Sequence, residues 1–235
     1  MNVESDARRD RLWVYAVLPV VILNLAGCII FGAYYGLAAQ QPELVADIGE
    51  GQVFFALYLF INLVEWVFAV SILLKLRRAG VSVLSLIAPH GAPWRFKWVP
   101  AVLVFVAFNA LFAVYVAVYA CLLGGWPAFE DWTAWQRIFM IGFVPVTAGF
   151  CEELLWRGYI ITRLEARGRK RWSAILLSAL SFALIHGVLP DRLLVTFLIG
   201  IVAGYYYTRE RNLVPLMVTH TVVDVWSFAL SVFAR

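Results

Sequence analysis

Charged side chains are scarce: Asp, Glu, Lys and Arg make up 14% of the 235 residues, against about a quarter in soluble domains. With 63% hydrophobic residues and a mean hydropathy of +0.83, this shortage excludes an ordinary water-soluble domain and indicates an integral membrane protein. Strict alternation of apolar and polar residues is also lacking, which argues against a membrane β-barrel. Cysteines number three, an odd count, and Cys28, Cys121 and Cys151 all lie in apolar runs, so a disulfide framework is not expected. The net charge of +4 is spread over connectors and forms no basic block. Attraction to lipid head groups accounts for it, and no nucleic-acid partner is implied.

What is present is a series of apolar runs, which predicts an all-α, polytopic bundle because a lone helix satisfies its own backbone hydrogen bonds in lipid. Windows of about 20 residues place seven segments, near 12–38, 52–74, 98–123, 137–160, 172–189, 193–208 and 213–233. No cleavage site for small residues follows the first run, which is expected to remain as the first span. Basic residues are lopsided: 15 of the 19 Lys and Arg residues fall in the N-terminus and the alternate connectors on its side. That bias predicts a cytoplasmic N-terminus, in a plasma (inner) membrane. Trp13, Trp98, Trp132, Trp135 and Trp172 lie near segment ends, where amphipathic rings are expected. No internal repeat is visible.

Against this background, Glu65, Glu152, Glu153, Arg157, His186, His220 and Asp224 stand out, because ionisable groups at membrane depth mark function by default. Counted from the nearest basic residue at the cytoplasmic edge, Glu152, His186, His220 and Asp224 lie roughly 16, 22, 14 and 20 Å deep at ~1.5 Å per residue. Glu65 is roughly 15 Å deep on the same measure, and either lines a cavity or bonds to Asn62 or another helix. Glu153 and Arg157 are four apart and can pair on one helical face. Glu152 lies about 100° around the helix and points elsewhere. His220 and Asp224 are also four apart, so Asp224 can accept from a ring nitrogen and fix the tautomer. Gly187, after His186, is expected to let another backbone approach. The third histidine, His90, reads as a loop residue.

A carboxylate and a histidine flanking a water form a general base, and a second histidine can stabilise an oxyanion. Such a constellation suits hydrolysis of an amide within the membrane. A zinc site of Glu152, His186 and His220 is the alternative, although HExxH is absent. Cys151 adjoins Glu152 but points away from it and is expected to serve packing. Asn24 and Asn109 are expected to serve helix packing.

The stretches EELLWR (Glu152, Glu153, Arg157), FALIH (Phe182, His186) and HTVVD (His220, Asp224) resemble the motifs EExxxR, FxxxH and HxxxN/D of the CAAX protease and bacteriocin-processing family, also called Abi. The resemblance covers about residues 135–235 and implies an intramembrane protease core there. Residues 1–130, with three spans, have no assigned role. By that resemblance, Glu152 and His186 activate water, His220 and Asp224 serve the oxyanion, and Glu153, Arg157 and Phe182 support the site. Asp224 stands where the prenyl proteases have Asn, so it either partners the oxyanion or only orients His220. The family has been described both as glutamate-type and as metal-dependent; the glutamate mechanism, with no cofactor, is preferred. The implied substrate is a protein or peptide at the membrane, possibly prenylated. A non-catalytic scaffold or immunity protein keeping the fold is the alternative. A proton or ion pathway would usually bring repeated halves and broken helices, and neither is evident.

Overall fold

The computed structural model describes residues 11–88, 95–123 and 132–233; the loop expected at His90 lies outside them. Every apolar run forms a helix. We number the long ones α1 (Leu12–Gln40), α2 (Glu50–Arg78), α3 (Trp98–Leu123), α4 (Ala134–Ala166), α5 (Arg171–Ile185), α6 (Pro190–Glu210) and α7 (Val214–Phe233). Among the described residues there is no strand, and the chain is an all-α polytopic helix bundle. Five of these helices, α1 to α4 and α7, are long and apolar enough to cross a membrane. α5 has only 15 residues, about 22 Å at 1.5 Å per residue, short of a hydrocarbon core of ~30 Å. α6 carries Asp191, Arg192, Arg209 and Glu210 at its two ends, which trims its apolar length.

α4 is the centre of the bundle. Its residues enter all three hydrophobic clusters: Leu154, Leu155 and Trp156 meet Phe68 and Ile72 of α2; Ile161 meets Phe108 of α3 and Leu216 of α7; Met140 meets Phe55 of α2 and Phe228 of α7. The helix begins earlier than its apolar run because Thr133 and Gln136 form a capping box, satisfying amides that the first turn leaves free. Gln136 also accepts a bond from, and donates one to, Gln52 of α2, the latter at 2.8 Å. Trp132, placed by its sequence at an interface, is instead buried and donates its indole N–H to the Gly51 carbonyl. Trp13, Trp98, Trp135 and Trp172 are exposed.

α4 is not α-helical throughout. Phe139–Phe143 is π-helical, just before Pro145, which has no N–H to donate to the carbonyl of Ile141. A second π-helical stretch, Glu153–Ile161, begins between the two glutamates. Inserted turns of this kind are frequent at functional sites.

Small residues set the helix crossings, as they do where packing in lipid depends on close approach. A Cβ on Gly149 would stand 2.8 Å from the Met217 carbonyl and collide with Thr221 Oγ1. α7 therefore rests directly on α4 one turn before the glutamates. Thr221 fixes the contact by donating to the Pro145 carbonyl at 3.2 Å. α5 and α6 form a close-packed hairpin, with Gly200 against Ala179.

The hairpin tip carries His186. α5 ends at Ile185, and Gly187 turns the chain with a φ of 114°, a value that favours glycine. Nothing lies within 4 Å of a Cβ built there, so the expectation of a close backbone approach is replaced by a conformational need. The open carbonyls of this helix end find donors: Asn24 of α1 donates to Leu184 O at 2.8 Å, and His186 Nδ1 bonds Phe182 O at 2.9 Å. Asn24 thus ties two helices, whereas Asn109 bonds only Phe105 O of its own helix.

Candidate active site

The ionisable residues singled out in the sequence lie on four helices, α2, α4, α5 and α7, and those of α4 and α7 meet beside the crossing of these two helices. On α4, Arg157 Nη1 donates to Glu153 Oε1 at 3.0 Å, with both side chains almost completely buried. The same oxygen lies 2.9 Å from His220 Nδ1. Because Oε1 already accepts from the guanidinium, Nδ1 is the donor. His220 is therefore anchored by Glu153, on another helix.

This differs from the sequence expectation that Asp224 would fix the tautomer. Asp224 Oδ2 stands 3.6 Å from the other ring nitrogen, Nε2, beyond hydrogen-bond length. Glu152 Oε2 is 3.7 Å from that same Nε2. The two adjacent glutamates diverge around α4 as their spacing predicts, yet one imidazole lies between them. Glu153 holds one face of the ring, and Glu152 and Asp224 flank the other.

Phe182 is the packing hub. Arg157 stacks over its ring at 4.2 Å from the centroid, His186 lies 4.7 Å and His220 6.0 Å from it, and Trp156 meets its edge. A guanidinium over an aromatic face gains a further attraction when both are out of water. The FxxxH spacing therefore does two things: Phe182 fixes the charged pair from below, and its carbonyl accepts from His186 Nδ1. A carbonyl can only accept, so His186 carries its proton on Nδ1 and keeps Nε2 for the site. Trp156 Nε1 donates to Ser181 at 3.1 Å, and Ser178 donates to Trp156 O at 2.7 Å, locking α5 to α4.

Unspent hydrogen-bonding capacity is concentrated here. Glu65 Oε2, Glu152 Oε2, Glu153 Oε2 and Arg157 Nη2 are buried without a hydrogen-bond partner among the described residues, a condition rare enough in folded proteins to mark a site. Glu65 is buried on α2, and Asn62, one turn before it, donates to Tyr58 O at 2.9 Å. Cys151 is buried in the hydrophobic cluster of α1, α2 and α4. No three His, Cys, Asp or Glu side chains among the described residues are grouped as a metal-holding set, and this includes Glu152, His186 and His220.

Sequence reasoning missed the Glu153–His220 bond. It had a signal, since a carboxylate oxygen pairing with arginine retains a second lone pair.

Residues 133–226 match the model of a family described as type II CAAX prenyl endopeptidase Rce1-like. No curated protein and no solved structure matches the chain. The matched stretch contains Glu152, Glu153, Arg157, Phe182, His186, His220 and Asp224, while Glu65 lies outside it. Over residues 133–226, most of the proposed core, the chain is thus similar to the Rce1-like family, consistent with its resemblance to the CAAX protease and bacteriocin-processing family.

Proposed function

We propose that this protein is an intramembrane endopeptidase that hydrolyses a peptide bond of a membrane-associated protein or peptide, with prenylated CAAX-type chains as its substrate class. Glu152 is the base in this reading. It takes a proton from water while the oxygen attacks the carbonyl carbon, and returns the proton to the leaving amine as the C–N bond breaks. His186 offers Nε2 to the same water. His220, held through Nδ1, presents Nε2–H as an imidazolium toward the developing oxyanion, with Asp224 beside it to balance the charge. Glu153, Arg157 and Phe182 support the two histidines.

The observation that carries this reading is the contrast between the two glutamates. Glu153 receives a guanidinium and an imidazole; Glu152 is equally buried but keeps an oxygen without a donor, 3.7 Å from His220. One is committed to structure and the other is free for chemistry. Water activation here uses no metal. Exhaustive chelation is expected to leave cleavage unchanged, and loss restored only by Zn²⁺ would overturn that point.

The basic-residue bias supports a cytoplasmic N-terminus in a plasma (inner) membrane. It holds whether α5 and α6 cross or enter as a hairpin, since both arrangements return the chain to the same side. Reporter fusions at residue 1 and residue 235 test this. The function itself is tested with a fluorogenic prenylated CAAX peptide and the purified protein: Glu152→Gln is expected to lower kcat by about 10²-fold or more while the protein stays monodisperse. Undiminished cleavage would refute the assignment.

A further inference from the structure

Asn62 sits near the middle of α2 (Glu50–Arg78), roughly 20 Å from Lys75 and 18 Å from Glu50 at ~1.5 Å per residue. A polar side chain at such depth is costly unless it is bonded, and this one is only half bonded. Nδ2 donates to the Tyr58 carbonyl of its own helix at 2.9 Å; a carbonyl only accepts, which fixes the end of the amide that faces it. Oδ1 turns the other way, is buried, and meets no donor among the described residues. Helix packing does not explain it. Asn24 makes the same bond to its own helix, with Val20 O, and spends its second proton across the interface on Leu184 O. Asn62 makes no bond to another helix among the described residues.

The neighbours of α2 show where that free oxygen stands. Gln52 bonds Gln136, Phe55 packs on Phe139 and Trp66 stacks on Phe150, so α2 and α4 run side by side at a constant offset of 84 residues. Glu152 is therefore level with Phe68, roughly 9 Å beyond Asn62. Side chains of parallel helices lean alike, and the spacing holds for them too. α7 runs the other way, its Phe228 clustering with Met140 and its Leu216 with Ile161. Tyr58 meets Phe228 at 5.1 Å, so one turn further along α2, and one turn back along α7, Asn62 comes level with Asp224. Asp224 Oδ2 is 3.6 Å from His220 Nε2, and its side chain, 25% exposed, is the most open of the three carboxyls around that ring.

We propose that Asn62 is a substrate-binding residue whose Oδ1 accepts a backbone N–H of the bound peptide. At ~3.3 Å per residue of extended chain, that amide lies two or three residues from the scissile bond at Glu152. The inference deepens, and rests on, the reading of the site as a peptidase. A peptide drawn out for cleavage at membrane depth carries N–H groups that water no longer satisfies, and lipid tails offer no donor to an orphaned oxygen. The three motifs attend to the reacting atoms; α2, outside the matched stretch, holds the chain beside them.

A set of prenylated CAAX peptides tests this, each with one backbone amide near the scissile bond replaced by an ester, which removes the N–H and keeps the shape. With the purified full chain, one ester two or three residues from the scissile bond should lower kcat/KM roughly tenfold. Asn62→Ala should lose about the same on the all-amide peptide and little more on that ester, because both changes delete one bond. Asn62→Leu, close in volume, should behave alike and decides if the alanine variant does not fold. Losses that add at every position would mean a structural role, and full activity of Asn62→Ala would mean that water alone meets Oδ1; either overturns the inference. The same peptides are titrated by fluorescence anisotropy onto Glu152→Gln, with and without the Asn62 change. Coupling in Kd without cleavage by the wild type would uphold the subsite and refute the peptidase reading. Cleavage without coupling would refute the subsite alone, and a peptide neither bound nor cleaved would refute both.

Discussion

α3 and α4 are both long enough to cross a membrane, but they are built in opposite ways. α3 is the more apolar of the two, and only 17% of an 18-residue apolar stretch of it is buried; α4 carries Glu152, Glu153 and Arg157, and 61% of the corresponding stretch is buried. In water the apolar helix would be the inner one. In lipid the driving force for hiding apolar surface is gone, because acyl chains solvate leucine as well as protein does, and the polar groups seek the interior instead. Val99, Val102, Leu103 and Val106 of α3 lie exposed for the same reason that Glu153 and Arg157 do not.

This contrast can be broken by substitution. The largest effect is expected at Arg157: Arg157→Met leaves Glu153 buried with its cation removed, which costs on the order of 3–5 kcal/mol, read as a fall in the SDS or thermal unfolding midpoint. The equivalent loss of a polar group on the outer helix, Asn109→Leu, should leave that midpoint nearly unchanged. Next comes Glu153→Gln, which weakens the anchor on His220 Nδ1. Cleavage of the prenylated peptide should drop roughly 10²-fold, with a smaller stability loss than Arg157→Met; full activity would dissolve the distinction between the two glutamates.

Packing gives the third contrast. Gly149→Ala forces a methyl into Thr221 and the Met217 backbone, an overpacking of about 1–3 kcal/mol that should also impair turnover, because the same crossing positions His220. Gly32→Ala on α1, where a Cβ meets nothing within 4 Å, should be silent in both assays. Smallest is Asn24→Ala. Its interhelical bond to Leu184 O should be worth about 0.6 kcal/mol, and a hydrogen-exchange measurement should find the end of α5 less protected.

Helix positions were largely legible in the chain, because twenty apolar residues in a row leave one way to satisfy a backbone in lipid. α1, α2 and α3 begin and end within a few residues of their apolar runs. α5 was read too long, to 189: the apolar residues Val188 and Leu189 continue the run, but Gly187 ends the helix through its backbone angle. α4 was read too short, since its capping box lies before the first apolar stretch. That Glu152 and Asp224 stand beside His220 agrees with the motifs and with their similar depth. What Glu153 does beyond Arg157 was not legible, because it depends on the rotation of whole helices about their axes. The long, unpatterned apolar faces of α1 and α2 leave that rotation open until the small residues and serines that lock neighbours together are known in three dimensions.

The i, i+4 spacing of Glu153 and Arg157 has a consequence for biogenesis. A ribosome needs seconds to add the residues that separate α4 from α7, so α4 must wait in the bilayer before His220 arrives. It can do so because Glu153 brings its own counter-charge within the same segment. Glu152 has none within its own segment. The order of synthesis suits the Glu153–Arg157 pair: α7 brings its imidazole to a carboxylate that already holds a counter-charge.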